Sequence, residues 1–355
     1  MNSEWIIKRL TKLAATAPRK KISNRNKLVI FSDLHMGGGG KKDDFVSNSD
    51  LLIYILEHYY EKKDFTLVLN GDVEELQRFS FNKITGRWKK VFEIFSRFSK
   101  RKALLKTYGN HDYELCCKKN YPAAIPVTEG LTFQYGEINI LIFHGHQALR
   151  YPEFFYLFST LVLRLVANPL GIKNYSVAYN SRKRYRVERR VYHFAKQKKI
   201  IAIIGHTHRP LFESLSKLDS LKFKIEQLCR LYPKAPSKRK LVLKKKIISL
   251  KKTLLDLLKN GKKDHIKKQS SLYDSELLVP CIFNSGCVIG KRGLTAIEIS
   301  EGKIRLVYWF DRNITQKDAG LNKYFPRQLG RSDYFRLVLD QEDLNYILTR
   351  VRLLS

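Results

Sequence analysis

Cysteine is scarce in this 355-residue chain, and its five cysteines are scattered and form no Cys-x-x-Cys pair. This pattern argues against a disulfide framework and against a thiolate zinc site, and it fits a reducing compartment. Long apolar runs are also missing, since no segment reaches the roughly 18 apolar residues of a membrane span. The N terminus lacks the apolar core of a signal peptide. We therefore expect a cytoplasmic protein that could lie at a membrane surface without crossing it.

Acidic residues are also few. The chain has 33 Asp and Glu against 67 Lys and Arg, a formal net charge of +34. Such an excess favours anionic partners such as phosphates, nucleic acid or an acidic membrane. A general lysine bias of the source organism is an alternative explanation. The hydrophobic content of 44% is sufficient for a large core.

Five short apolar runs each end in a polar cluster. Runs such as Lys27–Ser32 and Phe65–Asn70 are typical of buried strands, and helical patterns such as Leu51–Glu61 lie between some of them. The sequence therefore predicts an α/β fold, in which ligands bind beyond the carboxyl ends of the strands. The five clusters are Asp33-Leu34-His35, Gly71-Asp72, Gly109-Asn110-His111-Asp112, His144-Gly145-His146 and Gly205-His206-Thr207-His208.

The clusters hold six of the nine histidines, which random placement would not produce. They also supply the oxygen donors Asp33, Asp72 and Asn110. Imidazole, carboxylate and amide donors without sulfur suit manganese, iron or zinc. We expect the clusters to converge on one metal site.

In this order, the five signatures resemble those of the calcineurin-like metallophosphoesterases: D-x-H, G-D, G-N-H-D, a histidine after a strand, and G-H-x-H. The resemblance covers roughly Lys27–Pro210 and the strands that return to about Phe310. It implies a metallophosphoesterase β-sandwich flanked by helices. Within that superfamily the sequence is most similar to UDP-2,3-diacylglucosamine pyrophosphatases, through SDLHMG, GDVEE and GHTHRP. The segment HGHQALRYPEF departs from the pattern of these pyrophosphatases. The resemblance therefore implies the type of reaction more strongly than it implies the substrate.

The resemblance also implies roles for individual residues. Two divalent metal ions are expected, with manganese favoured and iron or zinc as alternatives. One metal would be held by Asp33, His35 and His208, the other by Asn110, His144 and His206, and Asp72 would bridge them. His111 would face the substrate as the proton donor or charge stabiliser for the leaving oxygen, and Asp112 would orient His111. Candidates for substrate binding are Glu75, His146, Arg184, Arg186 and Arg209, with a position behind the metal ligands as the alternative for His146.

The rest of the chain predicts additions to this core. Residues 1–26 form an N-terminal amphipathic arm with Trp5, Ile6, Leu10 and Leu13 on one face, and residues 27–320 form the metallophosphoesterase core. A helical cap at 151–199 and a basic helical hairpin at 211–275 interrupt the core. Residues 321–355 form a helical tail that includes a helix at Gln341–Leu354.

Each insertion has two interpretations. The apolar segment 151–172 could cover the site and accept acyl chains, or it could bury its own aromatic residues. The basic run at 182–190 could neutralise a diphosphate, because arginine forks suit phosphate oxygens, or it could be a solvated helix face. For the 211–275 arm we expect contact with an acidic membrane surface.

The leading function is a dinuclear-metal phosphoesterase or pyrophosphatase acting on a phosphate ester or diphosphate of a lipid-linked nucleotide-sugar. The alternative is a nuclease or nucleic-acid phosphodiesterase, because the superfamily contains nucleases and the charge of +34 suits a polynucleotide. The arm has few aromatic residues for base stacking, which disfavours that alternative. A catalytically inactive scaffold is disfavoured because no expected ligand is missing.

Overall fold

A computed structural model gives the fold of the chain. It describes residues 4–40, 42–117, 121–149, 181–212, 236–260, 279–314 and 325–355, with short pieces between 221 and 233. Its α-helices are α1 (Glu4–Thr16), α2 (Ser49–Ile55), α3 (Phe81–Arg87), α4 (Lys89–Lys100), α5 (Ser181–Lys198), α6 (Ser237–Asn260) and α7 (Leu344–Leu354). A π-helix at Leu56–Tyr60 continues α2, and 3-10 turns lie at Asp44–Asn48, Tyr113–Cys117 and His146–Ala148.

The strands form two sheets, and the predicted α/β sandwich is confirmed. One sheet has the order β1-β6-β7-β8-β9 and the other has the order β12-β13-β11-β10-β2-β3-β4-β5. The strands are β1 (Arg19–Ile22), β2 (Leu28–Phe31), β3 (Thr66–Asn70), β4 (Leu104–Thr107), β5 (Val127–Thr128), β6 (Gly130–Tyr135), β7 (Ile138–Phe143), β8 (Ile201–Ile204), β9 (Ile282–Asn284), β10 (Leu294–Ser300), β11 (Lys303–Asp311), β12 (Arg327–Gln328) and β13 (Tyr334–Asp343).

The sandwich brings the five polar clusters to one edge. Strands β2, β3 and β4 pair in parallel, and so do β7 and β8 in the other sheet. Side chains such as Ile30 of β2 and Ile203 of β8 share one core cluster, which joins the two sheets. The polar cluster after each of these strands therefore lies at the carboxyl end of its sheet, as the sequence predicted.

The first 26 residues are built into the sandwich more closely than an arm would be. Helix α1 buries Ile6, Leu10 and Leu13 as predicted, but Trp5 is 51% exposed and lies off the buried face. Strand β1 then pairs in parallel with β6 and extends the five-stranded sheet. The sequence did not predict β1, because three of its four residues, Arg-Lys-Lys-Ile, are basic and exposed.

The C-terminal region is also more than a helical tail. Strand β13 pairs antiparallel with β11 along its whole length, so that residues 334–343 belong to the larger sheet. The last helix begins at Leu344 and not at Gln341, because Gln341 and Glu342 still pair with β11. Asp343 caps α7 by accepting a hydrogen bond from the backbone of Tyr346.

The two insertions are described in part. Residues 151–180, which include the predicted apolar cap, lie outside the described residues, and α5 forms the rest of that insertion. Helix α6 is the second helix of the predicted hairpin, and the first lies largely outside the described residues. Along α6, the predicted stripe of Leu243, Ile247, Leu250 and Leu254 is its less exposed side. Within the described part of the chain, no helix is both long and apolar enough to cross a membrane.

Candidate metal centre

The strand-end loops hold five of the predicted metal ligands in a strained backbone conformation. Asp33, His35, Asp72, His206 and His208 all have φ between 48° and 63°, in the left-handed region. Residues other than glycine rarely adopt this region, and it persists only where the surrounding structure fixes it. The strain is concentrated where the side chains turn toward one point between the sheets.

Two glycines of the signatures are required by close approach. A Cβ atom at Gly109 would lie 2.1 Å from Oδ1 of Asp72. At Gly71, which has φ +75°, a Cβ atom would lie 2.6 Å from the ring of His144. The glycines of GNHD and GD therefore let three strand-end loops close around the same carboxylate.

The first cluster of ligands consists of Asp33, His35 and His208. Nε2 of His208 lies 3.0 Å from Oδ1 of Asp33 and 3.2 Å from Nε2 of His35. All three side chains are buried or nearly so. The structure thus brings together the three residues that the family resemblance assigns to one metal.

The second cluster consists of Asp72, His144 and His206. Nε2 of His144 lies 3.0 Å from Oδ2 of Asp72, and the same oxygen lies 4.0 Å from Nε2 of His35 in the first cluster. Asp72 is therefore positioned between the clusters, as a bridging ligand requires. The amide oxygen of Asn110 is buried in the adjoining loop.

Hydrogen bonds at the back of the site select the atoms that face its centre. The backbone N–H of His206 donates to Oδ2 of Asp33 at 2.9 Å, and that of His111 donates to Oδ1 of Asp72 at 2.7 Å. Nδ1 of His144 lies 2.9 Å from the carbonyl oxygen of Asn70. These contacts leave one carboxylate oxygen of each aspartate, and Nε2 of His144, directed inward.

The inward atoms fit divalent cations. Oδ1 of Asp33, Oδ1 of Asn110, and Nε2 of both His144 and His206 are fully buried and form no hydrogen bond with any described residue. Buried polar atoms without a partner are costly, so the unpartnered atoms of Asp33, His144 and His206 that lie together here favour an additional group. Nitrogen and oxygen donors without sulfur are those that manganese, iron and zinc accept.

Glu75 links the first cluster to His111. One carboxylate oxygen of Glu75 lies 2.8 Å from Nδ1 of His35, and the other lies 2.8 Å from Nδ1 of His111. The rings of His35 and His111 meet edge to face with centroids 4.6 Å apart. Glu75 thus holds a metal ligand and the proposed acid in fixed relative positions.

This contact corrects the expected role of Asp112, because the carboxylate bonded to the His111 ring is Glu75. Asp112 is fully buried and accepts hydrogen bonds from the backbone N–H groups of Gly109, Asp72 and Val73. It also pairs with Lys106 at 3.2 Å. Asp112 therefore braces the loops that carry Asp72 and His111, and it does not orient the imidazole.

The charges of the site shift its pKa values in opposite directions. Burial disfavours the imidazolium form of His111, but the carboxylates of Glu75 and Asp72 outweigh burial and raise its pKa to about 10. Burial likewise opposes ionisation of Glu75, but His111 and His35 lower its pKa to about 2. Burial and the neighbouring His144 lower the pKa of His206 to about 3. At neutral pH the metal-free site therefore has an ionised Glu75, a neutral His206 and a protonated His111.

The predicted substrate-binding arginines occupy different environments. Arg186 is exposed on α5, and Arg184 is half-buried on the same helix. Arg209 is engaged by Glu188 of α5, with its Nη2 atom 2.6 Å from the carboxylate. Buried Glu188 thus engages part of the Arg209 guanidinium group, and a role of Arg209 in substrate binding stays a prediction.

His146 lies beside the second cluster of ligands. It is fully buried, and its ring centroid lies 5.5 Å from that of His144 and 6.4 Å from that of His206. It belongs to neither ligand cluster. Its burial and the nearby histidines hold its pKa well below the usual value, so it packs as a neutral ring.

Several residues that support the site were not predicted. Glu188 accepts a hydrogen bond from the hydroxyl of Thr207 at 2.9 Å, and Nδ2 of Asn284 donates to Thr207 and to the carbonyl of Gly205. Together they fix the GHTH loop from α5 and β9. No local signal identifies Glu188, since it lies in a run of arginines, whereas Asn284 directly follows an apolar run, as the predicted ligands do.

The chain matches a family of phosphoesterases. The model of the family described as calcineurin-like phosphoesterase matches residues 27–210, which are 184 of the 355 residues. No curated protein matches the chain significantly. Among solved structures, the crystal structure of a conserved uncharacterized protein from Streptococcus pneumoniae, titled a predicted phosphoesterase, aligns over 88% of this chain and 97% of its own. The two sequences are 11% identical, and the TM-score is 0.30.

Proposed function

The chain belongs to the calcineurin-like phosphoesterase family and is a metal-dependent phosphoester hydrolase, and from this premise we propose that it uses two metal ions. The observation that carries the proposal is the pair of ligand clusters with Asp72 between them. Asp33, His35 and His208 would hold one cation, and His144, His206 and Asn110 the other. Manganese is the favoured metal, with iron or zinc as alternatives.

When bound, two such cations activate water at neutral pH and neutralise charge on the phosphoryl oxygens. The residues of the chain supply the rest of the chemistry. His111 is 9% exposed at the edge of the site, and its protonated form is favoured by Glu75. We assign it the transfer of a proton to the leaving oxygen, a step that such a group accelerates by roughly 10²–10⁴-fold.

The test of the metal assignment is Asp72→Ala. Removing the shared ligand should lower the content of both metals, measured by elemental analysis of the purified protein, and abolish hydrolysis of bis-p-nitrophenyl phosphate. Arg186→Ala, at an exposed position on α5, serves as the matched control and should retain both metals. Normal metal content in Asp72→Ala would contradict the shared-ligand assignment.

For the substrate, we propose a phosphate ester or diphosphate of a lipid-linked nucleotide-sugar, presented at an acidic membrane surface. Helix α6 supports this choice. Its residues Leu241, Ile248 and Leu255 are 45–61% exposed and recur every seven residues, so they form one stripe. Lysines flank the stripe, including Lys244, Lys245, Lys251 and Lys252.

An apolar stripe flanked by lysines suits the boundary between headgroups and acyl chains of an anionic bilayer. Each lysine near such a surface contributes about 1 kcal/mol to binding. A nucleic acid would use the lysines but would gain nothing from three exposed aliphatic side chains. The stripe therefore favours the membrane over the nuclease alternative.

The matched test replaces the three stripe residues with serine and leaves every lysine in place. Co-sedimentation with vesicles of anionic phospholipid should be lost, while a control with Ile314→Ser and Leu353→Ser, two other exposed apolar positions, should bind normally. Turnover of UDP-diacylglucosamine in vesicles should fall with binding, and turnover of bis-p-nitrophenyl phosphate should not. Faster hydrolysis of single-stranded DNA than of the lipid substrate would instead support the nuclease alternative.

A further inference from the structure

A second cation-rich cleft lies at the end of the strands opposite the metal centre. The cleft has a volume of about 730 Å³, within the size range of small-molecule sites. Lys27 directly precedes β2 and Phe65 directly precedes β3, whereas Asp33 and Asp72 follow those strands. The cleft is therefore separated from the metal centre by at least the length of β2, roughly 13 Å.

Basic residues dominate the lining, with five cations against two carboxylates. The two carboxylates are already engaged. Glu298 is buried and forms a bidentate pair with Arg336, and Glu301 lies 3.2 Å from Arg305. Lys27, Lys63 and Arg327 form no ion pair with any carboxylate that the structure describes, so the cleft retains three uncompensated positive charges.

Aromatic rings line the same cleft. Nζ of Lys63 lies 4.3 Å from the ring centroid of Tyr59, and the guanidinium carbon of Arg336 lies 5.5 Å from it. Phe325 is 61% exposed at the rim. Burial and Glu298 raise the pKa of Tyr59 to about 12, so its hydroxyl remains a hydrogen-bond donor.

The backbone is irregular on both sides of the cleft. Tyr59 lies in the π-helix Leu56–Tyr60, and π-helical turns are frequent at functional sites. Across the cleft, the pairing of β11 with β13 shifts register between Leu306 and Val307, a bulge next to Val338. Bulges commonly redirect side chains beside binding sites.

We propose that this cleft binds a small organic phosphate, with Lys27, Lys63 and Arg327 around the phosphate group and the rings of Tyr59 and Phe325 against its apolar part. Lysine and arginine both bind phosphate oxygens, and arginine does so through two parallel N–H groups. The site is distinct from the catalytic centre and is not part of the proposed hydrolysis.

The test uses a non-hydrolysable phosphonate analogue of adenosine monophosphate, titrated calorimetrically into the metal-loaded protein. Wild type should show two binding events, one at the metal centre and one at the cleft. In the triple variant Lys27→Ala/Lys63→Ala/Arg327→Ala, the affinity of the cleft for the analogue should fall at least tenfold, so that the second binding event disappears from the titration. The control Lys12→Ala/Lys20→Ala/Arg331→Ala removes the same kinds of exposed cations elsewhere and should keep both events.

Asp72→Ala provides the complementary case, in which only the cleft event should remain. Ribose 5-phosphate and inorganic phosphate, titrated in parallel, report how much the aromatic rings contribute. A single binding event in wild type that Asp72→Ala removes would overturn the proposal. So would equal affinities of the cleft and control variants, or cleft binding of heparin with no binding of any small phosphate.

Discussion

At the scale of single residues, His111 and Glu75 depend on each other. Glu75 shares its carboxylate between two imidazoles, and each of them therefore presents Nε2 toward the centre. For His35 this turns Nε2 toward Nε2 of His208 at 3.2 Å, where a bound cation would take the place of its proton. For His111, whose Nε2 lies 4.0 Å from Oδ2 of Asp72, it leaves a proton near the reacting group.

His111→Ala should lower kcat for a phosphodiester with a poor leaving group by roughly 10²–10⁴-fold, because the leaving oxygen must then depart without a proton. The metal content should persist, since His111 is assigned no metal. The loss should shrink for p-nitrophenyl esters, whose leaving group needs little protonation. Steady-state rates for a series of leaving groups check this, and an equal loss across the series would indicate a positioning role instead.

At the scale of elements, strand β4 carries a buried lysine that supports the loop after it. Nζ of Lys106 lies 2.8 Å from Glu74 and 3.2 Å from Asp112, and the hydroxyl of Tyr121 donates to Glu74 at 2.6 Å. Burial alone would lower the pKa of Lys106, but Glu74 and Asp112 raise it, so it stays charged. Asp112 in turn holds the backbone of Asp72 and Val73.

Lys106→Met should therefore lower the free energy of unfolding by about 3–5 kcal/mol, the usual cost of leaving a buried charge without its partner. Chemical denaturation of the metal-free protein measures this. Adding Glu74→Gln to Lys106→Met should recover part of the loss, because one of the two stranded carboxylates is removed. If the double variant were less stable than the sum of the single changes implies, the proposed charge balance would be wrong.

The same elements show which parts of the fold could be predicted from the sequence. The strands before the metal ligands are apolar runs that end abruptly in polar residues. This hydrophobic pattern was sufficient to predict both the strands and the meeting of the polar clusters that follow them. Strand β1 did not, because its exposed Arg-Lys-Lys has no apolar period and it forms only by pairing with β6. The start of the last helix was placed three residues early, because Gln341–Asp343 are compatible with either state and their pairing with β11 decides.

For the metal centre too, some residues could be predicted from the sequence and others could not. Its ligand residues follow their strands directly, and their clustering is visible in sequence. The partner of His111 was assigned to the adjacent Asp112, whereas Glu75, 36 residues away, makes the contact. A lysine in a strand is usually expected to face solvent. Lys106 is instead buried, because its ammonium group pairs with Glu74, which also accepts a hydrogen bond from Tyr121. Contacts between loops that are distant in the sequence cannot be deduced from the hydrophobic periodicity of a single helix or strand.

At the scale of the molecule, the metal centre joins the two sheets. Asp33, His35, Asp72 and Asn110 follow strands of the larger sheet, and His144, His206 and His208 follow strands of the smaller one. Each cluster contains ligands from both sheets. Bound cations would therefore cross-link the sandwich, and their binding free energy would add to its stability.

Added Mn²⁺ should raise the free energy of unfolding by about 2.7 kcal/mol for each site whose Kd is one hundredth of the Mn²⁺ concentration, and at a fixed Mn²⁺ concentration the gain should grow with pH. Burial opposes protonation of His144, but Asp72 and Asp33 raise its pKa in the metal-free fold to about 9. This raised pKa stabilises the metal-free protein below about pH 6.5, and the contribution is lost as pH rises toward 9. Because a cation binds only the neutral form of His144, protons compete with the metal below pH 9. The affinity for the metal should therefore fall about tenfold for each unit by which the pH is lowered, for each proton displaced. Thermal unfolding with and without Mn²⁺ at pH 6, 7 and 8 should thus show a widening difference, absent in Asp72→Ala. A difference that stays constant with pH would mean that His144 binds no metal.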